Sequence, residues 1–201
     1  MTDDLRPDLE LIASLIPASS RVLDVGCGDG ALLAYLARNR QVDGRGMELA
    51  QDGVNRAVAR GLFVVQGDAD RDLADYPDNS FDYVILSRTL QAVQRPRDVL
   101  LHLLRIGRRA IVTIPNFAHW KVRLALLATG RMPVTGALSQ SWFETDNIHF
   151  CTILDLLDLA AADNIRVVDF RPYRADGRPL SVGPKTANLL AEQALFTLEK
   201  R

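Results

Sequence analysis

The stretch Val22-Leu23-Asp24-Val25-Gly26-Cys27-Gly28-Asp29-Gly30 runs from an apolar segment into three glycines at alternate positions. The residues that follow, Ala31-Leu32-Leu33-Ala34-Tyr35-Leu36-Ala37-Arg38, are strong helix formers. Strand, glycine turn and helix in that order open a βαβ unit. Glycines serve where a ligand must approach the main chain with no Cβ in the way. Taken alone, Gly26-x-Gly28-x-x-Ala31 also fits a dinucleotide fingerprint. The glycines therefore do not choose the ligand.

The same alternation continues outward. The pattern predicts strands over 21–25, 42–48, 62–66, 81–86, 110–114, 165–170 and 194–198. It predicts helices over 31–38, 51–60, 97–106, 117–129 and 152–162, with a lead-in helix over 5–16 broken by Pro7. Strands alternating with helices imply parallel pairing through right-handed crossovers. The strands are nearly all apolar, which predicts burial on both faces of a doubly wound sheet. Residues 131–150 show no clear period, and the pattern predicts little structure of their own. The Gly/Pro-rich stretch 172–184 reads as a hairpin-like excursion rather than a linker.

Length and composition bound the function. The 201 residues suit one α/β domain. Hydrophobic residues at 48% and charged residues at 24% exclude a disordered chain. A net charge of -1 argues against a nucleic-acid or membrane-surface binder. Cys27 and Cys151 make no disulfide framework. No His/Cys/Asp cluster has metal-ligand spacing, so no metal is expected. The start, Met1-Thr2-Asp3-Asp4, lacks the features of a signal peptide, and no apolar run reaches membrane-spanning length. The expectation is a cytoplasmic protein.

Asp24 narrows the ligand. It ends the first strand two residues before the first glycine. A pyrophosphate at the helix N-terminus would be repelled by a carboxylate so near. A cationic amino group or sulfonium would not. Glu48 ends the second strand at the spacing of an acid that binds ribose hydroxyls. Asp68 follows the third strand, where its carboxylate can accept from an adenine amino group. Ser87 follows the fourth. Consecutive strand C-termini are where open α/β sheets bind ligands.

The order Asp24-x-Gly26-x-Gly28-x-Gly30, Glu48, Asp68, then Phe81-Asp82-Tyr83-Val84 resembles the class I S-adenosylmethionine-dependent methyltransferases over 22–114. The resemblance implies a Rossmann-like seven-stranded sheet, mostly parallel, with the last strand antiparallel. It implies S-adenosylmethionine or S-adenosylhomocysteine as ligand. Gly26 and Gly28 would lie beside the methionine moiety, Glu48 on the ribose and Asp68 near the adenine. Cys27, Gly30, Leu49, Ala69 and Ser87 complete the expected site.

A narrower resemblance spans nearly the whole chain. Ser87-Arg88-Thr89-Leu90-Gln91, Ile114-Pro115-Asn116-Phe117-Ala118-His119-Trp120, Gly130-Arg131-Met132-Pro133-Val134-Thr135, Asn147-Ile148-His149-Phe150-Cys151-Thr152 and Asn188-Leu189-Leu190-Ala191-Glu192-Gln193-Ala194 resemble the MetW family of methionine biosynthesis proteins. It implies a bacterial cytoplasmic protein that works with homoserine O-acyltransferase. The expected organisation is one domain over 1–201 with a covering segment near 116–150.

Other readings stay open at this stage. The glycine loop also suits a nicotinamide oxidoreductase, Glu48 a solvated acid, and Asp68 an ordinary turn residue. Cys27 reads as a small buried-type residue of the loop rather than a nucleophile. Many small-molecule methyltransferases carry Ser-x-x-Leu-Glu-His-Val after the fourth strand. This chain has Ser87-Arg88-Thr89-Leu90-Gln91-Ala92-Val93, so Gln91 and Ala92 stand in place of the acid and the imidazole. Glutamine is no base at neutral pH. His119 and His149, in the covering segment, are the candidates for a catalytic base, with simple packing as their other reading. Trp120, Trp142 and Phe143 line a pocket, anchor an interface or fill a local core. His102 reads as structural or exposed, and Arg105-Ile106-Gly107-Arg108-Arg109 as a solvated helix end. An active small-molecule methyltransferase remains the alternative to a partner of the acyltransferase.

Overall fold

The computed structural model describes residues 5–135, 138 and 140–201. The start read for a signal segment, Met1–Asp4, lies outside the described residues, as do Gly136, Ala137 and Ser139 of the covering segment. In chain order the elements are α1 (Pro7–Leu15), β1 (Arg21–Val25), α2 (Ala31–Arg40), β2 (Asp43–Glu48), α3 (Gln51–Ala59), β3 (Phe63–Gln66), β4 (Phe81–Ser87), α4 (Pro96–Ile106), β5 (Gly107–Pro115), α5 (Trp120–Thr129), α6 (Ile153–Ala162), β6 (Ile165–Tyr173), α7 (Pro184–Leu190) and β7 (Gln193–Lys200). A short 3-10 turn, Asp72–Asp75, precedes β4.

The seven strands form one sheet in the order β3-β2-β1-β4-β5-β7-β6. The pairs from β3 to β5 are parallel, and β7 is antiparallel to both β5 and β6. The order reverses between β1 and β4. There the chain leaves the sheet in two directions and opens a crevice at the strand C-termini. Val84, Leu86, Val112 and Phe196 face a core shared with α4 and α6, while Val22, Ile85, Ile111 and Leu195 face one shared with α1 and α2. The central strands are thus covered on both sides.

Several expectations are corrected. Pro7 does not break the first helix but occupies its first turn, where its missing N–H costs nothing. The helix expected over 117–129 begins only at Trp120, since Phe117 to His119 turn away from β5. Strand β3 is apolar in composition but is an edge strand, with Phe63 and Val65 exposed. The Arg45 guanidinium stacks over the Phe63 ring at 4.5 Å instead. Gly107 to Arg109 belong to β5 rather than to a helix end. Arg105 donates to the carbonyls of Leu73 and Tyr76 and pairs with Asp78, so it latches the loop before β4. Within 172–184 the expected excursion closes through a bridge between Tyr173 and Pro179, and α7 then begins at Pro184.

Gly30 shows why the turn after β1 needs glycine. Its φ is +74°, and a Cβ there would lie 2.4 Å from Leu62 Cδ1 and 3.2 Å from Ala57 Cβ. The glycine lets α2 start against α3. Gly30→Ala should therefore lose about 1–3 kcal/mol of stability. A urea unfolding midpoint equal to that of the wild type would show that the turn relaxes without strain.

Candidate functional site

A cavity of about 1040 Å³ opens at the switch point. That is large enough for a nucleoside-sized ligand, since small-molecule sites run about 300–1,000 Å³. Asp24 to Gly28 enter it from β1, Met47 to Leu49 from β2, Gly67 to Asp70 after β3, and Ser87 to Thr89 after β4. Of the ten residues expected at the ligand, nine line the cavity: Asp24, Gly26, Cys27, Gly28, Glu48, Leu49, Asp68, Ala69 and Ser87. Gly30 does not, because its close approach is to Leu62 and Ala57.

Strand β2 holds the glycine turn. The Met47 carbonyl accepts from Gly26 N–H at 2.8 Å and Cys27 N–H at 3.1 Å. One Glu48 carboxylate oxygen accepts from Gly28 N–H at 2.7 Å, and the other accepts from Ala50 N–H at 3.0 Å. Glu48 is thus a clamp between β1 and β2 as well as a cavity wall, a role that spacing alone did not reveal. Gly28 has φ +58° and no neighbouring atom within 4 Å of where a Cβ would stand. Gly28 thus lines the cavity with its Cα side open and its N–H held by Glu48.

Asp24 is 4% exposed. Burial first, and the Glu48 carboxylate second, push its carboxyl up from 3.8 to about 7, while the Arg6 guanidinium pulls the other way. The Asp24 carboxyl has no hydrogen-bond partner among the described residues. A buried carboxylate without a partner is costly, and a cation in the cavity would relieve it. Burial and the Asp24 charge likewise push the Cys27 thiol up to about 12, which leaves it unreactive.

Around the rim, the Asp68 carboxylate accepts from Asp70 N–H at 2.9 Å and lies 3.6 Å from Arg71. Asp70 in turn accepts from Gln94 and Arg95 N–H, both at 2.8 Å. The Thr113 hydroxyl sits 3.1 Å from the Ser87 hydroxyl and accepts from Arg88 N–H at 3.0 Å.

Neither candidate base reaches the cavity wall. His119 is buried at the start of α5, against Trp120, and burial lowers its pKa. His149 donates its backbone N–H to the Gln91 carbonyl, and its Nε2 is buried with no partner. Among the described residues no histidine lines the cavity, and no cluster of histidine, cysteine and acid could hold a metal ion. No helix among them is long and apolar enough to cross a membrane.

Sequence reasoning missed two walls. Leu5, Arg6 and Leu9 close one side from α1 and the two residues before it, and Thr145 to Ile148 close another from the covering segment. Gln91 also lines the cavity. It is 5% exposed, donates from Nε2 to the Arg88 carbonyl at 2.6 Å, and leaves Oε1 buried without a partner.

The family model "Methionine biosynthesis protein MetW" matches residues 6–198. A Rhodopirellula baltica protein, "Bifunctional methionine biosynthesis protein MetXA/MetW", is 39% identical over 174 residues, covering 82% of this chain and 28% of that protein. A Mycolicibacterium smegmatis "Fatty-acid O-methyltransferase" is 47% identical over 70 residues, 32% of this chain and 25% of that one. The chain thus matches between 25% and 28% of the length of these relatives. A solved SAM-dependent methyltransferase from Thermotoga maritima superposes with a TM-score of 0.68 at 19% identity, over 97% of this chain and 88% of that chain. At that identity the likeness shows the fold.

The Asp24 carboxyl has a consequence for stability. Between about pH 4 and 7 the folded protein holds this proton and the unfolded chain does not. Asp24 therefore withdraws stability as pH rises through that window and withdraws no more above it. Asp24→Asn should be at least as stable as the wild type at about pH 8 and should flatten the loss between pH 5 and 7. Urea unfolding across that range measures it; parallel curves would mean that Asp24 titrates normally.

Proposed function

The chain belongs to the MetW family of methionine biosynthesis proteins, and we propose that it binds S-adenosylmethionine or S-adenosylhomocysteine in the switch-point cavity and acts with homoserine O-acyltransferase. In this reading residues 1–201 are one ligand-binding domain, covered by the segment near 116–150. The observation that carries it is the pair of acids at neighbouring strand ends, Asp24 unpartnered and Glu48 gripping the glycine turn.

The residues fit the ligand. The open Cα side of Gly28 leaves room for a methionine-like chain beside the turn, and the buried Asp24 carboxylate favours its cationic amino or sulfonium group. Each Glu48 oxygen has spent one lone pair on a backbone N–H and keeps another for a ribose hydroxyl. Asp68, Leu49 and Ala69 form the adenine side, with Asp68 free to accept a further bond from the amino group. When bound, S-adenosylmethionine supplies an electrophilic methyl group.

A relative whose name joins MetXA to MetW in one chain supports the acyltransferase partner, MetX being homoserine O-acetyltransferase. One observation favours a second reading, an active small-molecule methyltransferase. A carboxylate acceptor needs no base, the described cavity wall holds no histidine, and the M. smegmatis relative is named for O-methylation of a fatty acid.

Two assays separate the readings. Acyltransferase activity should fall when this chain is withheld and return when it is added. Labelled methyl groups should stay on the ligand; transfer to an acceptor would favour the second reading. Glu48→Ala should weaken S-adenosylhomocysteine binding by about 1.5–3 kcal/mol, roughly ten- to 150-fold. Unchanged affinity by calorimetry in a folded variant would remove Glu48 from the ribose.

A further inference from the structure

We propose that Arg88, supported by Arg6, forms a carboxylate subsite in the switch-point cavity, built for the acid end of an α-amino acid. The inference rests on the adenosyl-ligand reading above.

Six acids line the cavity, Asp24, Asp29, Glu48, Asp68, Asp70 and Asp146, against two bases, Arg6 and Arg88. A carboxylate that enters is repelled by most of this wall and is welcome only beside a guanidinium. The two arginines differ. Arg6 spends Nε and Nη2 on the Asp8 carboxylate, at 3.2 and 3.0 Å. The Arg88 guanidinium has no hydrogen bond or ion pair among the described residues.

The backbone at Arg88 is built to hold that cation in place. Its φ of +54° lies in the left-handed region, where a long side chain is rare. Its N–H is held by the carbonyl of the fully buried Thr113 at 3.1 Å and by the Thr113 hydroxyl at 3.0 Å. Its carbonyl accepts from Gln91 Nε2 at 2.6 Å. Strained backbone persists where its surroundings hold it, and it clusters at ligand sites. Arg88 thus rises from a rigid mount, pinned to β5 on one side and to the turn before α4 on the other.

An α-amino acid carries its ammonium and carboxylate two bonds apart, so a site for it needs an acid and a base close together. Arg6 is near enough to Asp24 to pull its carboxyl down, against burial and Glu48. Burial and Asp8 push the Tyr173 hydroxyl up, and Arg88 and Arg6 both oppose them. One basic patch therefore reaches from Asp24 to the loop after β4. Asp24 takes the ammonium, and Arg88 meets the carboxylate with its planar fork. That carboxylate has two sources, the methionine end of the adenosyl ligand or a free amino acid lying against it.

Calorimetry on the full chain separates them, with wild type, Arg88→Gln and Arg88→Lys and with thermal unfolding as the check on folding. The probes are S-adenosylhomocysteine, 5′-methylthioadenosine, which lacks the amino-acid end, and L-homoserine titrated into protein loaded with 5′-methylthioadenosine. Arg88→Gln should weaken one carboxylate-bearing probe about tenfold or more and leave 5′-methylthioadenosine unchanged, with Arg88→Lys in between. A loss confined to S-adenosylhomocysteine assigns the subsite to the ligand's own end, and a loss confined to L-homoserine assigns it to a second ligand. No loss on either probe overturns the subsite while the adenosyl reading stands. An equal loss on 5′-methylthioadenosine overturns it too, because the variant then damages the nucleoside site. Wild-type protein that binds neither adenosyl compound overturns the adenosyl reading and this inference with it.

Discussion

The grip of β2 on the turn after β1 organises the rest of the ligand crevice. Main-chain N–H groups at such a turn are the usual donors to a bound phosphate. Here those of Gly26 and Cys27 are given to the Met47 carbonyl, and that of Gly28 to the Glu48 carboxylate. The protein has filled its own anion site with its own anion. A diphosphate arriving at Gly28 would find the donor taken and two acids close by. The same arrangement leaves Asp24 buried and unpaired, so the crevice favours a ligand that brings positive charge. One hydrogen bond thus shapes the turn and holds the Glu48 charge beside Asp24.

Much of this was legible in the residue order, because the pattern there is local. A strand, its terminal acid and the following turn are neighbours in sequence, so Asp24, Glu48, Asp68 and Ser87 could be assigned to one edge of the sheet from spacing alone. What escaped the sequence depends on distant contacts. Arg6 and Leu9 reach the crevice only because α1 packs against α2, and Thr145 to Ile148 only because Gln91 offers its carbonyl to Ile148 and His149. Strand β3 was misjudged for a related reason. Apolar composition does not say whether a strand sits at the centre or the edge of a sheet. The arginine at 105 looked like a solvated helix end because its partners, Leu73, Tyr76 and Asp78, lie before β4.

The seam between the crevice and its cover carries unspent polar capacity. Gln91 Oε1 and His149 Nε2 are both buried without partners, and Gln91 joins the two sides through its backbone. Buried polar groups are nearly always paired; these two stand unpaired at the seam, as Asn188 Oδ1 and Thr197 Oγ1 do on α7 and β7. The residues of the cover that turn inward, Thr145 to Ile148, line the crevice, while Trp142 and Phe143, just before them, face out. One short piece of backbone therefore has one side toward the crevice and the other toward solvent.

The insertion of β7 between β5 and β6 bears on the order in which the molecule is assembled on the ribosome. Strand β6 is synthesised before β7, yet its neighbour in the sheet is β7, and β5 likewise has no partner on that side until β7 arrives. A nascent chain that has emerged only through β6 holds a five-stranded parallel layer with a raw edge at β5, and a sixth strand with nowhere to pair. Such edges invite pairing with other chains. Closure then waits on contacts between distant parts of the sequence, which slows folding, and so a chaperone would be most useful between the emergence of β5 and that of β7.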